Sequence, residues 1–155
     1  MRAHSYERVF LGLGAAMLAA FLGALLYATV AMGIHLPGPA GTIDPAKVLQ
    51  TPPFTSPGVR QIGPNHYEAV VVGFTWGFMP AEIRVPRGAD ITFTATSLDV
   101  IHGFDIAGTR INMMLIPGRI SRNTYRFETA GEHLLICHEY CGIAHQTMQA
   151  KVIVE

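Results

Sequence analysis

"DITFTAT", residues 90–96, sets apolar Ile91, Phe93 and Ala95 between Asp90, Thr92, Thr94 and Thr96. This alternation is the period of a strand with one face in a core and the other turned away from it. Similar runs lie on both sides: "YEAVVVGF" (67–74), "AEIRV" (81–85), "ISRNTYRFE" (120–128), "EHLLIC" (132–137) and "QAKVIV" (149–154). Turn residues punctuate them at "PRG" (86–88), "PG" (117–118) and "AG" (130–131). No helical period interrupts the series. Short strands at this spacing predict an all-β fold over residues 67–155, a sandwich or Greek-key barrel.

Upstream the character changes. From Val9 to Ile43 there is no Asp, Glu, Lys or Arg, and "VFLGLGAAMLAAFLGALLYATVAMGI" (9–34) is nearly all apolar. A bilayer-spanning helix needs about 20 such residues, so residues 1–35 predict one transmembrane anchor. A cleaved signal peptide has an apolar region of only about 7–15 residues, and this run exceeds it. Arg2 and Arg8 precede the run and the next basic residue is Lys47, which puts the N-terminus in the cytoplasm and the β-domain on the outer face. Residues 36–66 hold seven of the ten prolines and predict an extended linker. The chain carries 11 basic and 11 acidic side chains without a basic stripe, which argues against a nucleic-acid partner. Its apolar helix makes membrane lipid the expected surroundings.

Between the last two predicted strands lies "CHEYCGIAHQTM" (137–148), with both cysteines of the chain. An oxidising compartment favours a disulfide, but the ring would be very small and would leave His145 and Met148 without a role. Structural zinc would take Cys137, Cys141 and His145 with one more His, leaving a thioether unused. Copper uses more of the residues, since imidazole, thiolate and a weak Met thioether form the blue-copper ligand set. The second imidazole is available in "DVIHGFDI" (99–106), where His102 follows the "DITFTAT" strand. A single copper uses one thiolate, whereas Cys137 and Cys141 could bridge two ions. His102 and His145 would then be terminal ligands, with Met148 and the backbone carbonyl of Glu139 as weak ones. A membrane-anchored mononuclear blue-copper shuttle is the competing reading.

The pattern Cys-x3-Cys-x3-His-x2-Met, with "IHGF" (101–104) upstream, resembles the CuA domain of subunit II of haem–copper cytochrome c oxidases. A single anchor resembles the B-type members. The resemblance implies a cupredoxin-like barrel and a binuclear copper CuA centre that takes electrons from cytochrome c. They would pass to haem in subunit I, where oxygen is reduced and protons are translocated. It implies Cys137 and Cys141 as bridging thiolates, His102 and His145 as nitrogen ligands, and Met148 and the Glu139 carbonyl as weak ligands. "GFTWGFMP" (73–80) resembles the aromatic stretch that receives electrons, with Trp76 at the receiving position. "IPGR" (116–119) matches a segment near the copper loop, although "NMML" (112–115) lacks the acidic residue many relatives carry there. The Glu139 carboxylate could reach a magnesium ion at the subunit interface, as in A-type relatives. In "SYERVF" (5–10), Glu7 matches a glutamate at the cytoplasmic mouth of a proton channel in subunit I. A further small membrane subunit is another expected partner. After Leu36 there are nine basic and ten acidic side chains with the signs interspersed. Docking of cytochrome c is therefore expected through an apolar patch around Trp76 and Phe78, with weak salt dependence.

Overall fold

The computed structural model describes residues 3–34 and 39–155. Arg2 and the predicted junction between anchor and linker at residues 35 and 36 lie outside them. The chain divides into two compact units, Met1–Leu36 and Pro37–Glu155.

In the first unit, helix α1 runs over Ala3–Val30. Among the described residues it is the one helix long and apolar enough to cross a membrane, with a mean hydropathy of 2.3 over an 18-residue stretch within His4–Val30. Its large side chains are exposed all round, including Phe10, Leu18 and Phe21. An all-apolar surface of this kind suits lipid rather than water. The Ala31 N–H reaches back to the Tyr27 carbonyl at 2.8 Å, and the Ile34 N–H to the Ala28 carbonyl at 3.1 Å. The last turn therefore leaves fewer carbonyls unpaired, which matters in a medium without water.

The second unit is a sandwich of two sheets. Its strands in chain order are β1 (Pro39–Thr42), β2 (Gly58–Gly63), β3 (His66–Phe74), β4 (Gly77–Met79), β5 (Glu82–Val85) and β6 (Asp90–Ser97). They continue with β7 (His102–Ile106), β8 (Asn112–Leu115), β9 (Arg119–Arg126), β10 (Gly131–Ile136) and β11 (Gln149–Val154). One sheet has the order β1-β9-β6-β3-β2 with β4 on β3, and the other β5-β11-β10-β7-β8. The pairs β3–β6 and β5–β11 are parallel, and the remaining pairs are antiparallel. As the alternation in 90–96 predicts, Ile91, Phe93 and Ala95 face the inter-sheet core. There they join Ala69, Val71, Phe104, Leu135 and Val152.

The outer face of the first sheet departs from the sequence reading. The Pro-rich stretch expected to be a linker over 36–66 carries β1, β2 and a 3-10 turn at Pro45–Gln50. It also contributes Ile43, Val48 and Phe54 to a second apolar cluster with Val70 and Val72. Phe54 is fully buried there. The physical reason is β3, whose "AVVV" run presents apolar side chains on both faces, so its outer face needs a cover as well. Farther along that face, Glu68 is nearly buried. It accepts from Thr94 at 2.7 Å, pairs with Arg60 and lies 3.8 Å from Arg122.

Candidate metal centre

The loop between β10 and β11 is short enough to close on itself. Cys137 N–H bonds the Met148 carbonyl at 3.2 Å, so the two ends of the loop face each other where the strands part. A single 3-10 turn over His145–Thr147 then aims His145 and Met148 back toward the cysteines. β7 pairs with β10 through Leu135–Ile106 and Ile136–Asp105, which brings its first residue, His102, to the same mouth of the sandwich. The close approach depends on Gly103. A Cβ there would lie 2.6 Å from the amide nitrogen and the ring of His138.

All six predicted donors converge. The Cys137 and Cys141 sulfurs are 3.8 Å apart, and His102 Nδ1 is 3.9 Å from Cys137 Sγ. His145 Nδ1 lies 3.5 Å and Met148 Sδ 3.6 Å from Cys141 Sγ. The Glu139 carbonyl accepts from the Cys137 thiol at 3.2 Å. His102, Cys137 and Cys141 form a compact buried cluster with ligand atoms within 4.8 Å of one another. Both cysteines are free thiols, since 3.8 Å is far beyond the roughly 2.05 Å of a disulfide. The donor set of two thiols, two imidazoles, a thioether and a carbonyl fits copper. It is richer in soft sulfur than zinc requires.

The electrostatics favour a cationic guest. Burial pushes the Cys141 thiol up to about 11, with the neighbouring Cys137 and the Asp99 charge adding to the effect. Two adjacent thiolates are costly here without a cation between them. Burial also opposes the charge of Asp99, but hydrogen bonds from His102, Thr75 and Val100 outweigh it and bring its carboxyl to about 2. Sequence reasoning missed Asp99. Its place three residues before a candidate ligand was the available signal.

Trp76 is exposed on the turn between β3 and β4, and its indole N–H donates to the Cys141 carbonyl at 3.2 Å. The left-handed Gly142 (φ +119°) leaves room for that ring, which a Cβ would meet at 3.0 Å. Phe78, expected beside Trp76 in a docking patch, is instead buried against Phe104, because it points inward between the sheets. The exposed apolar residues of these loops are Trp76, Val100, Ile101, Tyr140 and Ile143. His138 is exposed, and Glu7 sits on the first turns of α1 with His4 Nδ1 at 3.4 Å.

The family model for the periplasmic domain of cytochrome c oxidase subunit II matches residues 78–155. A cytochrome c oxidase subunit 2 of Thermus thermophilus is 41% identical over 155 residues, which cover 97% of this chain and 92% of that one. A chain in the cryo-electron-microscopy structure of a heme-copper terminal oxidase dimer superposes with a TM-score of 0.80 at 32% identity. That match covers 96% of this chain and 99% of the other. The periplasmic domain of the Bradyrhizobium japonicum subunit II is 21% identical with a TM-score of 0.53, covering 57% of this chain and 83% of that one. At that distance the likeness speaks for the cupredoxin-like fold alone. Motif, fold and whole-length similarity agree, and the chain belongs to the cytochrome c oxidase subunit II family.

Proposed function

We propose that this chain is the electron-accepting subunit of a B-type cytochrome c oxidase. The observation that carries the reading is the convergence of both imidazole Nδ1 atoms, the Met148 thioether and the Glu139 carbonyl on the Cys137–Cys141 sulfur pair. Cys137 and Cys141 would bridge two copper ions, His102 and His145 would each hold one through Nδ1, and Met148 and Glu139 would be the weak ligands. Bound there, the copper pair supplies a one-electron relay with its charge change spread over two metals and two sulfurs. The paired strands β7, β10 and β11 hold the donors in place, and a rigid donor set keeps reorganisation small.

In this reading Trp76 receives the electron from cytochrome c at the exposed tip. Its bond to the Cys141 carbonyl provides a short route to a bridging sulfur. The apolar residues around it exclude water when the partner docks. Residues 1–35 anchor the chain in lipid with the N-terminus cytoplasmic, and the copper domain delivers electrons to subunit I on the outer face. Glu7 would stand at the mouth of a proton channel in that partner. A small additional membrane subunit would belong to the same assembly, whereas magnesium on the Glu139 carboxylate is a feature of A-type relatives and is not needed for this reading. Copper analysis and stopped-flow reduction of the purified full chain test the proposal. Two coppers per chain and rapid reduction by ferrous cytochrome c, slowed in Trp76→Ala, are expected. One copper per chain would favour a mononuclear shuttle instead.

A further inference from the structure

Asp99 is bonded on both carboxylate oxygens. Oδ1 lies 2.8 Å from His102 Nε2 and accepts the Val100 N–H at 2.7 Å. Oδ2 accepts the Thr75 N–H at 2.7 Å and the Thr75 hydroxyl at 2.9 Å. Three N–H or O–H donors already point at the two oxygens, so the carboxylate serves as an acceptor throughout and His102 Nε2 is placed to donate to it. Nδ1 is then left with its lone pair on the side of Cys137 Sγ, 3.9 Å away. The His102 side chain is fully buried, so water does not substitute for Asp99 on that nitrogen. Thr75 immediately precedes Trp76, whose indole is itself bonded to Cys141. The turn that carries Trp76 is therefore tied to the site from two sides.

We propose that Asp99 is a positioning residue that clamps the His102 ring and the Trp76 turn into one unit, fixing Nδ1 as the metal-facing nitrogen. Carboxylates that hold the far nitrogen of a ligating imidazole commonly set its orientation and donor strength. The inference rests on the copper reading for what His102 holds, but the clamp itself exists in metal-free protein and is read there.

The test uses the metal-free full chain in detergent with 15N-labelled histidine. Trp76 is the sole tryptophan, so its fluorescence reports the turn directly. The wild type should show a His102 Nε2 proton protected from solvent exchange and a Trp76 only weakly quenched by acrylamide. Asp99→Ala should lose both, and its copper affinity should fall about 10–100-fold. Asp99→Asn keeps an oxygen for Nε2 but turns an amide NH2 toward the Thr75 N–H. In that variant quenching should rise while the Nε2 proton stays protected. If Asp99→Ala does not fold, Asp99→Asn and Thr75→Val, which removes the hydroxyl arm alone, carry the test. An unchanged Nε2 proton in Asp99→Ala, or unchanged quenching in both Asp99 variants, would overturn the clamp. Clamp signals that respond as expected in a wild type that takes up no copper would uphold the clamp and defeat the copper reading.

Discussion

A Cβ at position 103 would meet the His138 backbone, which cannot swing aside as a flexible side chain could. Gly103→Ala should therefore push the cysteine loop away from β7, at a cost of about 1–3 kcal/mol as for other overpacked sites. His102 and Cys137 would separate, because the Gly103 N–H is also bonded to Cys137 Sγ at 3.4 Å. Copper titration should show weakened uptake, with far-ultraviolet circular dichroism unchanged. Glu68 makes a second prediction at this scale. Burial alone would raise its pKa, but the Thr94 hydroxyl, Arg60 and Arg122 together lower it from 4.5. A carboxylate with a lowered folded-state pKa stabilises the fold at pH values above 4.5, and that stability is lost as the pH falls through the folded value. Urea midpoints of the metal-free chain should decline as the pH drops below 4.5. Glu68→Gln should flatten that decline.

The elements differ in how openly the sequence announces them. β3, β5, β6, β9, β10 and β11 were all legible, because β-branched and aromatic residues between turn signals leave little choice. β7 and β8 were not. β7 is five residues long with a glycine inside, and β8 is "NMML", a run with no β-branched residue. Tertiary pairing of His102 with Leu115 and Phe104 with Met113 makes them strands. β1 and β2 were hidden by the prolines in and around them, Pro39 within β1 and Pro57 and Pro64 flanking β2, since proline suits edge strands as well as spacers. The uninterrupted "AVVV" of β3 was the overlooked sign that something must cover its outer face. Phe54 tests this directly. Phe54→Ala should destabilise the domain by about 3–5 kcal/mol, as for other buried Phe truncations. Copper binding by the molecules that remain folded should be retained, because Phe54 belongs to the cluster on the far side of β3 from the inter-sheet core. The convergence of the cysteine-loop side chains was legible, since their spacing is local. The contribution of Asp99 was not, because it depends on where the Thr75 turn falls in space.

At the scale of the whole molecule, an exposed apolar tip sits on a domain whose charges are nearly balanced. Strong electrostatic steering needs a surface dominated by one sign and fades as salt screens it. The second-order rate of reduction by cytochrome c should therefore change little across an ionic-strength series, and a steep fall would place the docking surface elsewhere. The central claim is that two thiolates four residues apart hold two coppers as one electronic unit. Electron paramagnetic resonance of the copper-loaded full chain tests it most directly. The account predicts an unpaired electron shared equally by two copper nuclei, with the signal lost in Cys141→Ser. Hyperfine structure from a single copper nucleus, or a Cys141→Ser spectrum identical to wild type, would contradict it.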